Sequence, residues 1–240
     1  LRKHEVRFRA TAGTYLGTKQ ARENEDSAMP FEYGCFVSYA HPGPGGQTMT
    51  TFVEDLVQAL ESELDPYMGN PVYFDKKRLK PSYEYDPALS HGLCASACWI
   101  LVYAPLYRKR EYCLREYNAM QALQAQRRRE LGRKLPKHRS MIVPILVRGD
   151  QREFPEELRK TEPIRFDQVT LAESTISDRP EEMAALRDLA AEISEIHELG
   201  EELNHDCETF ELPPPNGDFK PLRRPFPGDP RATDDAGGDE

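Results

Sequence analysis

Tyr33-Gly34-Cys35-Phe36-Val37-Ser38-Tyr39 reads as a β-strand on its density of aromatic and apolar side chains, and the fold follows from what stands on either side of it. A loop with Pro42, Gly43, Pro44, Gly45 and Gly46 closes the strand. Thr51 and Glu54 then form a capping-box signature, and Phe52, Val53, Leu56, Val57, Leu60 and Leu64 fall on one helical stripe. Val72-Tyr73-Phe74 makes a short second strand, and the polar stretch 75–87 is a long loop leading into a short helix over 88–93. A third strand covers 97–103, holds the only Trp, and stops at Pro105. Cys113, Tyr117 and Met120 recur at helical spacing, with Tyr112, Glu116, Ala119 and Leu123 on the adjoining stripe. Residues 141–147 form a fourth strand, in which Pro144 argues for an edge or a bulge. A short fifth strand over 163–166 precedes a last helix that starts near Asp178 and Pro180 and turns Met183, Leu186, Ala190, Ile193 and His197 inward.

Strands alternating with helices predict an α/β fold, a parallel sheet covered by helices on both faces. Five such units suit a flavodoxin-like five-stranded order, whose ligands bind beyond the strand C-terminal ends, at the switch between the first and third strands.

The chain has 240 residues with 38% hydrophobic side chains and 20 Pro, against a globular norm of about 45–50% apolar (Gly included) and about 5% Pro. The sequence therefore predicts one domain with flexible ends: a segment over 1–30, a domain over 31–203, and an acidic, Pro/Gly-rich disordered tail over 204–240. Met29, just ahead of the first strand, leaves two readings of residues 1–28: an upstream segment, or sequence preceding a start at Met29. No stretch approaches the ~18 apolar residues of a membrane span, and the first thirty residues lack the apolar core of a secretory signal, so a cytoplasmic protein without membrane contact is expected. Five scattered Cys (Cys35, Cys94, Cys98, Cys113, Cys207) lack paired C-x-x-C spacing, which argues for reduced thiols and against a disulfide framework or a zinc site.

Net charge is −9, and residues 201–240 alone hold 11 acidic and 4 basic side chains. Residues 105–140 reverse the balance with 11 basic and 3 acidic, including Arg127-Arg128-Arg129. Such a run reads first as solvated surface, and an acidic chain argues against nucleic acid as a partner.

Phe36-Val37-Ser38-Tyr39-Ala40-His41 resembles the first box of Toll/interleukin receptor (TIR) domains, in the F-x-S-Y-A-H form common in bacterial members. Tyr103-Ala104-Pro105-Leu106-Tyr107, followed by Glu111-Tyr112-Cys113-Leu114-Arg115-Glu116, resembles their third-strand end and next helix. Leu79-Lys80-Pro81-Ser82-Tyr83-Glu84-Tyr85 sits where that family has its BB loop, with Ser82 where Gly is usual, and Ile142-Val143-Pro144-Ile145 is similar to a family strand that tolerates this Pro. The resemblance spans residues 31–200 and implies one of two functions. One is assembly with other TIR domains as a signalling scaffold, through the 75–87 loop; the other is cleavage of the nicotinamide–ribose bond of NAD, as a glycohydrolase or cyclase switched on by self-association.

For the second function the resemblance assigns the essential carboxylate to Glu116, with Tyr39, His41, Tyr85 and Tyr112 around the substrate. NAD is then substrate, with no cofactor and no metal. The chemistry suits a bare carboxylate: nicotinamide departs as a neutral molecule from a cationic ring, so a negative group that stabilises an oxocarbenium-like transition state suffices. The plainer reading of Glu116 is a surface residue near a helix start, contributing about 0.3–1 kcal/mol through the helix dipole. Lys76, Lys77, Arg78 and Lys80 are candidate cations for a pyrophosphate, and Tyr83 is a second aromatic in their loop. Cys94 and Cys98 read as small packing residues beside Trp99, and nothing fixes His41 or His91 as a base for Cys113.

Overall fold

Eight consecutive buried residues, Ser96–Tyr103, leave no polar face for water, so this strand must run through the middle of a sheet with a layer on either side. In the computed structural model, which describes residues 31–43, 47–69, 72–74, 84–171, 175–203 and 206–214, it does so. The sheet is five-stranded and parallel throughout. With β1 at Tyr33–Tyr39, β2 at Val72–Tyr73, β3 at Ser96–Tyr103, β4 at Ile142–Leu146 and β5 at Ile164–Arg165, the order is β2-β1-β3-β4-β5, the flavodoxin-like arrangement expected. Helices α1 (Gln47–Leu64) and α4 (Pro180–Glu198) pack together, as do α2 (Tyr85–Cys94) and α3 (Glu111–Leu131). Among the described residues no helix is long and apolar enough to cross a membrane.

Two helices begin earlier than the sequence signals suggest. Helix α1 starts at Gln47, a turn ahead of the Thr51/Glu54 signature, because Met49 extends the apolar stripe backward onto the core. Helix α2 starts at Tyr85 and takes Pro87 into its first turn, where a missing N–H removes no helical bond. Residues 85–87 are thus helical rather than loop; 75–83, with Lys76, Lys77, Arg78, Lys80, Ser82 and Tyr83, lie outside the described residues. Gly92 is required for α2 to approach the sheet: a Cβ there would lie 2.5 Å from the ring of Tyr73, which stacks on Phe36 and donates to the Ala88 carbonyl.

Pro144 does not put β4 at an edge. Val147 N–H donates to Tyr103, and Leu146 C=O accepts from Phe166, so odd-numbered residues of β4 address β3 and even-numbered ones address β5. Pairing with β5 starts only at Ile145, so Pro144 has no donor on the side where none is needed. On that same side Ser140 Oγ accepts from Ile142 N–H and donates to Ile142 C=O.

Arg127 corrects the reading of the 127–129 run as solvated surface. It is 1% exposed, because position 127 continues the inner stripe of Met120 and Leu123. One guanidinium nitrogen donates to the Ser96 and Ala97 carbonyls and another to Cys94, while the group lies 4.5 Å from the Phe31 ring centroid and 4.6 Å from that of Trp99. Three carbonyls at the end of α2 and the start of β3 thereby find a partner.

The reduced-thiol expectation is also corrected, since Cys94 and Cys207 form a disulfide with Cα atoms 5.4 Å apart. Cys94 is therefore a cross-link rather than a packing residue, while Cys35, Cys98 and Cys113 are free and buried. With the disulfide comes a correction at the C-terminal end of the domain. Residues 206–214, assigned to the disordered tail, pack as a strap: Leu212 is buried and its N–H donates to Ser90 Oγ, and Pro213 C=O accepts from Arg115. Residues 1–30 and 215–240 lie outside the described residues.

Arg127→Met should destabilise the domain by about 3 kcal/mol or more, since an apolar side chain leaves buried carbonyls unpartnered; a denaturant midpoint unchanged from the parent would contradict this. A thiol count gives an independent check. Burial pushes the Cys98 thiol up to about 12 against the opposing pull of Arg127, so native protein at pH 8 should resist labelling at Cys98. Unfolded without reductant the chain should release three thiols, and with reductant all five.

Candidate functional site

The C-terminal ends of β1 and β3 open onto a cleft whose walls come from three separate parts of the chain. From β1 come Tyr39, its last residue, and then His41, Pro42 and Gly43; from the start of α2 comes Tyr85. After β3 the chain turns at Pro105 into a single 3-10 turn, Tyr107–Lys109, which sends Tyr107 into the core and Lys109 to the cleft. Arg110 and the first two turns of α3, with Glu111, Tyr112, Cys113 and Glu116, complete the lining of a space of about 550 Å³. That is within the usual size of small-molecule sites, about 300–1,000 Å³. Glu116, Tyr39, His41, Tyr85 and Tyr112, singled out in the sequence, all meet here.

Glu116 is not a surface residue. It is 7% exposed, because α3 turns positions 113, 116, 117 and 120 toward the sheet. Its carboxylate accepts a hydrogen bond from Ser38 Oγ, and Ser38 Oγ lies 2.7 Å from the hydroxyl of Tyr107. A carboxylate only accepts, and Ser38 has one hydrogen to give, so the order is fixed: Tyr107 donates to Ser38, and Ser38 donates to Glu116. Burial pushes the Tyr107 phenol well above its ordinary value, with Cys113 and Glu116 adding to the shift, so it stays a neutral donor. The chain Tyr107–Ser38–Glu116 holds the carboxylate in one orientation from below. The dipole estimate for Glu116 is accordingly replaced by a buried hydrogen-bond network.

The other walls are set by contacts as specific. Tyr39 is 4% exposed and its hydroxyl lies 3.1 Å from His41 Nδ1. Tyr85 and Tyr112, both partly exposed, meet edge to face with ring centroids 5.0 Å apart, and Arg115 lies over the Tyr112 ring. Cys113 donates its S–H to the Tyr39 carbonyl at 3.5 Å, which ties α3 to β1. His91 pairs with Glu32 and takes no part in the cleft.

Lys109 and Arg110 escaped the sequence reading, which looked for cations in the 75–87 loop. Both line the cleft, and Arg110 Nε is buried with no hydrogen-bond partner among the described residues. Ser38 and Tyr107 escaped it as well, though both stand inside quoted motifs; a small hydroxyl amid the apolar run of β1 was the available signal. Among the described residues no group of three or more His, Cys, Asp and Glu is placed to hold a metal ion. A larger cavity of about 1090 Å³ lies between α2 and the strap, and Glu32, Glu84, Asp86, Glu208 and Glu211 line it. Arg115 and His91 line it too, but none of Glu116, Tyr39, His41, Tyr85 and Tyr112 does, and the smaller cleft, where they meet, is the candidate site.

The strand order agrees with the comparison to protein families. A family described as TIR domain matches residues 35–178, from the middle of β1 to the turn that precedes α4. A search of curated proteins finds no match. With the match covering more than half of the chain, and the fold in agreement, this protein belongs to the TIR-domain family.

Proposed function

We propose that the protein cleaves the nicotinamide–ribose bond of NAD in this cleft, with Glu116 as the catalytic carboxylate. The observation that carries the reading is the convergence of a buried, hydrogen-bonded carboxylate, three tyrosine rings and two cations on one space of about 550 Å³. A dinucleotide asks for those groups: aromatic faces for the pyridinium and base, cations for the pyrophosphate, and a negative charge for the ribose as it becomes cationic.

In the reaction the C–N glycosidic bond breaks, its electron pair passes to the ring nitrogen, and nicotinamide leaves neutral. Positive charge shifts onto the ribose beside Glu116, which Ser38 and Tyr107 hold in place so that little reorganisation is needed at the transition state. Lys109 and Arg110 take the phosphates, and the unpartnered Nε of Arg110 gains a hydrogen bond on doing so. Water then adds at the ribose carbon, or a nucleophile from the adenine end gives a cyclic product. Assembly with further copies, through the segment that runs into α2, supplies the activation. The F-x-S-Y-A-H box supports a bacterial-type member. A non-catalytic scaffold is the competing reading, and it predicts no NAD cleavage at any protein concentration.

The time course of NAD consumption by concentrated protein tests the proposal. Glu116→Gln keeps the shape and an acceptor for Ser38 but loses the charge, so turnover should fall by about 10²-fold or more while the fold persists. Equal rates for parent and variant would remove Glu116 from the mechanism. Ser38→Ala removes the hydroxyl that Tyr107 meets and a donor to the carboxylate; it should lower stability by about 1–3 kcal/mol and lower turnover as well. Unchanged melting and turnover in Ser38→Ala would mean that the network does not hold the carboxylate.

A further inference from the structure

The strap over 206–214 is anchored covalently at one point and held lightly elsewhere. Cys207 is bound to Cys94, the last residue of α2, across 113 residues of sequence. Beyond that bond, Leu212 donates to Ser90 Oγ and enters the core, Pro213 accepts from Arg115, and Cys207 and Phe210 pack partly buried against it. The hydrogen bonds of Asp206 to Glu208 and Thr209 stay within the strap itself. Glu208 and Glu211 of the strap line one cavity with Asp86 of α2, which is paired with Arg115.

Arg115 connects the strap to the cleft. Its Nε donates to Pro213 C=O at 3.0 Å, its Nη2 donates to Asp86 in the first turn of α2 at 2.8 Å, and its plane covers the Tyr112 ring at 5.1 Å. Tyr112 in turn meets Tyr85, and these two rings are one wall of the cleft. One guanidinium is therefore shared by the strap, the first turn of α2 and a ring of the cleft wall.

We propose that Cys94–Cys207 is a thiol–disulfide exchange site, and that its reduction by a dithiol frees the strap and, through Arg115, loosens the Tyr85–Tyr112 wall and weakens dinucleotide binding. The effect on binding rests on the NAD reading above; the release of the strap does not. Cys207 is partly exposed and Cys94 is buried, so the attacking thiolate reaches Cys207 Sγ. The S–S bond breaks, a mixed disulfide forms on Cys207, and Cys94 leaves as a thiolate, next to the carbonyl of its own residue that Arg127 binds. The second thiol of the reductant then displaces Cys207. The dithiol is oxidised to its cyclic disulfide, the cystine is reduced by two electrons, and two protons from the reductant end on the two protein thiols. In an oxidising compartment the strap is closed; in a reducing one it opens.

Dithiothreitol and dihydrolipoamide are the probes, applied to the full chain while amide hydrogen exchange, thiol count and NAD kinetics are followed. Reduction should add two labelled thiols, speed exchange at the Leu212 amide at least tenfold, and speed exchange over residues 85–88. It should raise KM for NAD several-fold with kcat within about twofold. Cys207→Ser should behave like reduced parent without reductant and ignore its addition. Arg115→Met should keep the disulfide and the protected Leu212 amide yet show the raised KM. A Leu212 amide equally protected in oxidised parent, reduced parent and Cys207→Ser overturns the release. Release of the strap with unchanged exchange over 85–88 and unchanged KM overturns the coupling. If no form of the protein cleaves NAD, the NAD reading fails, and the exchange over 85–88 decides the coupling by itself.

Discussion

A guanidinium without solvent contact fixes how the central helix of this domain lies on its sheet. Arg127 reaches from α3 to the last carbonyl of α2 and the first two of β3, between the faces of Phe31 and Trp99. Its planar fork admits few arrangements, so α3 cannot rotate about its axis without breaking several bonds together. Glu116 is 11 residues earlier, about three turns, and thus on the same face about 16 Å nearer the strand ends. The bond network at one end of the helix sets which way the carboxylate faces at the other.

What the sheet adds is the relay beneath the carboxylate. β1 places Ser38 at its next-to-last residue, and the turn after β3 places Tyr107, so the two strands that flank the switch point each contribute one hydroxyl. In a dry interior such a chain is strong when complete and costly when one member is missing. The same two strands bring Tyr39 and the Lys109–Arg110 pair to the cleft.

The strand order and the five strands were legible in local periodicity, whereas the meeting of Glu116, Tyr39, His41, Tyr85 and Tyr112 is what the resemblance to TIR domains implies. Arg127 was not: within three consecutive arginines it looks like a solvated run, and only its place on the stripe of Met120, Leu123 and Leu131 separates it from its neighbours. The disulfide was illegible for another reason, since two cysteines 113 residues apart carry no spacing signal. Composition also misled at 206–214. Acidic residues and prolines describe a segment that does not bury itself, yet a covalent anchor and one leucine are enough to dock it. Pro144 was read by its missing donor without the parity that makes the loss harmless.

That parity has a bearing on aggregation. An uncovered stretch of strand is a template on which a second chain can pair, and natural sheets blunt such edges. Here β5 is only Ile164–Arg165, so the outer side of β4 is left uncovered over its first half. Along that half Pro144 has no N–H to offer, and the Ile142 N–H and C=O are both taken by Ser140 Oγ. A visiting strand would find no row of donors to pair with. The first half of β4 is thus a poor template for strand pairing, and copies that meet there must do so through side chains.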